Sequence, residues 1–189
     1  AIAGLNDEAI VVLADWDEST NTTEYRVITR NPIATSGCFH KMAGVLTAKR
    51  LEILNADVNT TVEGVVVDAY RVRDKDYEGS PPDYRIEDVA DALRAVLNGT
   101  QTIRDLFLRG RKYGTAAVPV SRSELKTRVK IDNDSSDSRT IIDVFAHDRS
   151  GLLYTIARTL YELNLSVDLA KISTHFDQVI DVFYVQEAD

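Results

Sequence analysis

Apolar residues recur along this chain in a pattern that is used twice. Gly151 opens a stretch in which Leu153, Ile156, Ala157 and Leu160 fall at helical spacing, on one face of a helix. Gly37 opens an earlier stretch in which Phe39, Met42, Ala43 and Leu46 take the same offsets. The match runs past the helix. Leu51 and Ile53 answer Leu165 and Val167, and Ala56, Val58 and Thr60 answer Ala170, Ile172 and Thr174. After a one-residue gap, Val67-Asp68-Ala69-Tyr70-Arg71-Val72 answers Ile180-Asp181-Val182-Phe183-Tyr184-Val185. Apolar periodicity alone does not reproduce small, polar and acidic positions together, so the chain reads as two homologous modules.

Each module reads as ββαββ. In the second, strands are predicted at 127–131 and 140–146 around a polar turn at 133–138, then a helix at 152–163 and strands at 166–174 and 178–186, with Asp177-Gln178 as the turn. The first repeats the order: strand 9–14, turn 17–21, strand 24–29, helix 38–49, strands 51–60 and 64–73. Gly79 and Pro81-Pro82 interrupt regular structure. Ile86, Val89, Ala90, Leu93, Val96 and Leu97 then trace an amphipathic helix that ends at Asn98-Gly99, and a short helix is predicted at 102–109. The implied organisation is a first module over 1–100, a linker with its short helix over 101–123, and a second module over 124–189 without a counterpart to the helix at 86–97. The fold class is α+β, with antiparallel sheets and helices on one face. Val179 to Val185 is apolar at nearly every position, whereas a strand with one wet face alternates. The second sheet face is therefore expected to be covered by the other module or by another chain, which makes a homodimer one expected arrangement.

Composition narrows the function. With a formal net charge of −8, the chain lacks the basic footprint that nucleic acid or an anionic membrane surface requires. Arg104, Arg109, Arg111 and Lys112 form a local basic cluster, read as a solvated helix face. Cys38 is the single cysteine, which excludes an intrachain disulfide and a multi-cysteine zinc site. No apolar run approaches the ~20 residues of a membrane span, and the first residues lack a signal-peptide pattern. The expected location is a reducing cytoplasm.

The candidate chemistry sits at the helix starts. The loop His147-Asp148-Arg149-Ser150-Gly151 leads into Leu152 and Leu153. Free backbone N–H groups at a helix start suit a carboxylate, Gly151 permits close approach, and Asp148 suits an ammonium group. The alternative is that Asp148 or Ser150 simply caps the helix. The first-module loop, Asn31 to Gly37, is longer and lacks the acidic residue. His147-Asp148 has too few histidine and aspartate companions for a two-metal hydrolase. Asp15-x-Asp17 and Asp74-x-Asp76 mimic paired nucleotidyltransferase carboxylates but fall in turns without a phosphate-binding loop. Cys38 stands at a helix start, which can lower a thiol pKa, but its counterpart is Leu152, which favours packing. No Gly-rich nucleotide motif, cofactor site or metal site is legible. Asp68 and Asp181 lie mid-strand at equivalent positions, where they pair with a basic group across the sheet, line a ligand site between modules, or face solvent.

Val129-Lys130-Ile131-Asp132-Asn133, Asp148 to Tyr154, Ala170-Lys171-Ile172-Ser173-Thr174 and Asp181 to Val185 together resemble the C-terminal ACT domain of bacterial protein-PII uridylyltransferases. Ala56 to Thr61 and Val67-Asp68-Ala69-Tyr70 resemble the preceding ACT domain of those enzymes, and stand-alone tandem ACT proteins are similar as well. The resemblance implies two ferredoxin-like ACT modules that sense an amino acid, glutamine in that family, and regulate uridylylation of the nitrogen signal protein PII. It also implies that the partners are the family's N-terminal catalytic domains and PII, and that this chain, lacking those domains, is not itself an enzyme. The candidate effector-binding residues at the two helix starts are Asp148, Arg149, Ser150, Gly151, Leu152, Leu153, Asn31 and Gly37. A ligand-free oligomerisation module is the remaining alternative.

Overall fold

A computed structural model describes residues 9–61, 63–112, 127–149, 151–172, 174–175 and 178–188. Ser150, Ser173, Asp177 and most of the expected linker (113–123) lie outside the described residues, as do the side chains of Arg111 and Lys112.

In the first module, β1 (Ile10–Asp17) and β2 (Thr22–Thr29) form a hairpin. Its turn is shorter than expected because Asp17 holds it, accepting hydrogen bonds from the Ser19 N–H at 2.9 Å and the Thr20 hydroxyl at 2.8 Å. The loop that follows contains a helix the periodicity does not signal, α1 (Pro32–Thr35). Asn31 caps it, accepting from the Ile33 N–H at 2.9 Å, and Pro32 sits at its first position, where a missing N–H costs nothing. Then come α2 (Cys38–Ala48), β3 (Leu51–Asn59), β4 (Val66–Asp74), α3 (Asp83–Leu97) and α4 (Ile103–Lys112). The second module runs β5 (Arg128–Asp132), β6 (Thr140–His147), α5 (Leu152–Glu162), β7 (Leu165–Lys171), the two-residue β8 (Thr174–His175) and β9 (Gln178–Glu187). Gly37 and Gly151 occupy equivalent helix starts, both in the left-handed region at φ 63° and 78°. Arg104 and Arg109 are exposed on α4, as a solvated face requires.

All strand pairs are antiparallel, and the two modules share one sheet. Its order is β1-β2-β4-β3-β7-β9-β6-β5, with β8 paired to β9. The second half mirrors the first. The modules meet edge to edge, where β3 pairs with β7 through Asp57 and Lys171, Val58 and Ala170, and Asn59 and Leu169. Asp57 and Lys171 are themselves equivalent positions of the repeat, so an approximate two-fold axis passes through that pair. The helices lie across the same axis: the His40 ring of α2 stacks on Tyr161 of α5 with centroids 4.2 Å apart.

This arrangement corrects one expectation. The second module does not lie over the open sheet face of the first, nor the first over that of the second. β9 in fact alternates: Val179, Asp181, Phe183 and Val185 are buried under the helices, while Ile180 is 41% exposed on the other face. The continuous apolar run in the sequence reflects a hydrophobic outer face that the other module leaves uncovered. That outer face differs between halves. In the first it carries ion pairs, Arg26–Asp15 at 3.6 Å, Arg71–Glu24 at 3.4 Å and Arg73–Glu52 at 3.4 Å. In the second it carries Phe145, Ile180 and Val182, with the Arg128 guanidinium 4.5 Å from the Phe145 ring centroid.

A single core runs beneath the helices. Tyr25, Tyr70, Phe183, Met42, Leu46 and Leu93 are fully buried. In the first module α3 packs over β1 and against α2, tied by Arg85, whose Nε lies 2.8 Å from Asp74 and whose guanidinium also donates to the Lys49 carbonyl. Among the described residues no helix takes the place of α3 over β5, and there Val129 and Ile131 are 55% and 63% exposed. No helix among the described residues is long and apolar enough to cross a membrane.

Phe39 spans the seam: its ring lies 6.4 Å from Tyr70 of its own module and 5.8 Å from Phe183 of the other. Phe39→Ala removes contacts from both halves of the core at once and should cost about 3–5 kcal/mol of unfolding free energy. Chemical denaturation followed by far-UV circular dichroism measures it, with a single cooperative transition retained in the wild type.

Candidate functional site

The two-fold relation creates two clefts, one at each end of the β3–β7 seam. Each is built from a glycine helix start in one module and from a helix end and strand start in the other.

The cleft at Gly151 is lined by Asp148, Arg149, Gly151, Leu152, Leu153, Ile172, Val179 and Asp181 of the second module, and by Thr47, Glu52, Ile53 and Lys75 of the first. Asp148, Arg149, Gly151, Leu152 and Leu153 all line this cleft, and Ser150 lies outside the described residues. Asp148 is half-buried and Arg149 exposed. Neither caps the helix: α5 begins at Gly151 with no side-chain cap, and the Leu152 N–H bonds the Arg149 carbonyl at 3.0 Å. This cleft encloses only about 40 Å³, room for a few waters.

The cleft at Gly37 is far larger, about 700 Å³, within the range that holds a small organic molecule. The first module contributes the α1–α2 turn from Thr35 to His40, Val58 of β3 with Thr60 just beyond it, and Val66 and Asp68 of β4. The second contributes Tyr161 and Glu162 of α5 and the start of β7. Here too α2 begins at a glycine without a side-chain cap. Gly37 is required twice over, by its left-handed backbone and because a Cβ there would stand 2.6 Å from His40 Nδ1 and 2.7 Å from the Tyr161 ring. Asn31 sits just outside, occupied with capping α1.

Electrostatics single out a residue that periodicity left undecided. Asp68 is wholly buried under the first turn of α2. Its Oδ1 accepts from the Asn59 N–H at 3.2 Å. Burial pushes its carboxyl up to about 7, opposed by the Asn59 hydrogen bond and the neighbouring Cys38 thiol. The Cys38 thiol is itself driven well above the ordinary range by burial and then by the Asp68 charge. A thiol held protonated is packing, not a nucleophile. Burial also lowers the His40 pKa and raises that of Tyr70. Asp181 takes the equivalent buried place in the other cleft. The signal in the sequence was an aspartate at the same strand position in both modules, on the face its apolar neighbours bury. The other acidic pairs are structural: Asp17 holds a turn, Asp74 pairs with Arg85, and Asp76 pairs with Arg50 at 2.7 Å.

The one-sheet tandem of ferredoxin-like modules, with clefts at its helix starts, defines an ACT-type α+β chain. Residues 128–189 match the family model described as ACR9-like, ACT-like domain. The curated homologues are bifunctional uridylyltransferase/uridylyl-removing enzymes. That of Azospirillum brasilense is 34% identical over 80% of this chain, that of Ruegeria pomeroyi 34% over 80%, and that of Erythrobacter litoralis 28% over 95%. The chain spans 16–19% of the length of these relatives. Among solved structures, aspartate kinase from Synechocystis superposes with a TM-score of 0.46 at 19% identity, over 88% of this chain and 24% of that one.

Because folding raises the Asp68 pKa, the native state holds a proton that the unfolded chain has released between about pH 4 and 7. This group's contribution to stability is therefore present below pH 4 and is lost as pH rises through 7. Asp68→Asn should flatten that part of the profile, measured as denaturation midpoints at fixed ionic strength across the interval.

Proposed function

We propose that this chain is the effector-sensing part of a uridylyltransferase of the PII type, binding a small amino acid at the clefts of its seam. The single observation that carries the reading is the pair of uncapped glycine helix starts, each opening into a cleft completed by the other module. First-turn N–H groups and the positive end of the helix favour a carboxylate. An ammonium needs an acceptor within a few ångströms of it. At the Gly151 cleft, which has to widen to admit more than a few waters, that acceptor is Asp148, with Arg149, Ser150, Leu152 and Leu153 around it. At the Gly37 cleft the turn that begins at Asn31 supplies the wall. Glutamine is the effector named by the resemblance.

Each cleft draws walls from both modules, so a ligand there changes the free energy of their relative placement. That is the means by which a bound metabolite reports to catalytic domains elsewhere in a longer protein. The regulated reaction is the uridylylation and deuridylylation of PII, and it resides in those domains and not in this chain.

Titration of the 189-residue chain with L-glutamine, followed by amide NMR, tests this. We expect shifts confined to the first turns of α2 and α5, with affinity on the order of millimolar, about −4 kcal/mol. Asp148→Ala should weaken the response at Gly151–Leu153 by roughly 1.5–3 kcal/mol, the worth of one hydrogen bond to a charged group. Unchanged spectra in the wild type would instead leave an oligomerisation module without a ligand.

A further inference from the structure

The Gly37 cleft contains a group that the core does not need. Asp68 is 0% exposed, and β4 places it between Val66 and Tyr70 on the face that packs beneath α2. Its Oδ2 accepts no hydrogen bond, although buried carboxylate oxygens are as a rule fully satisfied. The residue lines the cleft. Among the described residues no cation acts on it: the influences are burial, the Asn59 N–H and the Cys38 thiol. Lys41, one turn along α2, donates to the Ile33 carbonyl. From the other elements packed here come Val27, its partner across β2; Tyr70, whose hydroxyl donates to the Phe39 carbonyl at 3.4 Å; and Tyr161, Glu162 and Arg158 of α5, which act on His40. Among the described residues that line the cleft on the α5 side, the one full charge is Glu162, and it pairs with Arg158 at 2.7 Å, which leaves Asp68 as the acid without a cation.

A core position filled by an acid with a spare oxygen, open to a cleft, calls for a partner of opposite charge. The uncapped start of α2 lies directly above it, because Cys38 is both the first residue of that helix and the neighbour of Asp68. A carboxylate acceptor and a set of N–H donors within one residue of each other match the two ends of a zwitterion. The repeat makes the same choice again, with Asp181 buried in the Gly151 cleft.

We propose that Asp68 is the ammonium anchor for an α-amino acid held in the Gly37 cleft, and that the ligand's arrival drives the proton off Asp68. The proposal rests on the effector-binding reading above and assigns it a specific group. The proton balance is simple. Asp68 enters as the neutral acid and leaves as the carboxylate, the released proton goes to solvent, and the ligand's ammonium keeps its three hydrogens. Binding is thereby linked to pH and grows stronger as pH rises. An acid that titrates near 7 in the free chain and is ionised in the complex gives about a tenfold gain in affinity between about pH 6 and pH 8.

L-glutamine and glutaramate, its analogue without the amino group, are titrated into the 189-residue chain at these two pH values, and binding is read at the Cys38, Phe39 and His40 amides. The expected result is a tenfold tightening for glutamine with rising pH, none for glutaramate, and proton uptake by the buffer in calorimetry. In Asp68→Asn the glutamine response at these amides should fall roughly tenfold or more, while that at Leu152 and Leu153 persists. The wild-type pH dependence does not require the variant to fold. Glutamine affinity that is independent of pH at the α2 amides, or equal in Asp68→Asn, overturns the assignment and leaves effector binding standing. The absence of any response to glutamine in the wild type overturns both.

Discussion

Asp57 and Lys171 face one another where β3 meets β7, and the rest of the molecule is arranged about that pair. Two edge strands have unspent N–H and C=O groups, and each could pair with a copy of itself. In a β3–β3 or β7–β7 pairing built on the same axis, Asp57 would oppose Asp57 or Lys171 would oppose Lys171. Only the mixed pairing sets opposite charges across the strands. The mixed pairing thereby avoids the like-charge opposition that either self-pairing would carry. Once they have joined, α2 and α5 must cross at the axis, Phe39 must reach Phe183, and the helix starts must fall at the mouths of clefts. The functional geometry is a consequence of strand pairing.

The clefts share a plan but not a size. One is bounded by the long turn that includes α1 and by the stacked rings of His40 and Tyr161. The other is bounded by the short turn that includes Asp148 and Arg149, with Thr47 in the place that Tyr161 takes in the first. A duplicated sequence that kept its glycines, its core positions and its buried aspartates has changed the side chains around the mouths of the clefts. The backbone provisions are common to both halves, whereas the side chains that set cleft volume are private to each.

Much of the fold was legible because the repeat supplied two readings of one pattern. Helix starts at Gly37 and Gly151 and the strand order within each module follow from periodicity and composition. The joining of the sheets did not follow, since backbone pairing between β3 and β7 leaves no periodic trace, and the alternation that would have exposed the outer face of β9 is masked by Ile180 and Val182. The helix α1 was signalled only by Asn31-Pro32, a cap followed by a first-turn proline. Of the site, the loop Asp148 to Leu153 could be read from the glycine and its acidic neighbour. Asp68 could only be placed, not interpreted: an acid in mid-strand reads as solvated until the structure shows which face it occupies and what lies above it.

The bare flank of the second module has a kinetic meaning. β1 lies beneath α3, so its hydrogen bonds open only when that helix leaves. Among the described residues no helix covers β5, and its hairpin with β6 exposes Val129 and Ile131. Local opening free energies in a native protein track the apolar surface that shields each segment. Within the described residues the β5–β6 hairpin is the less shielded unit, and its amides are expected to exchange with solvent before those of β2 and β4. The sheet is continuous across the seam, so the looser half borrows its order from the tighter one. A bound metabolite that stiffens the seam would be felt most in the hairpin farthest from it.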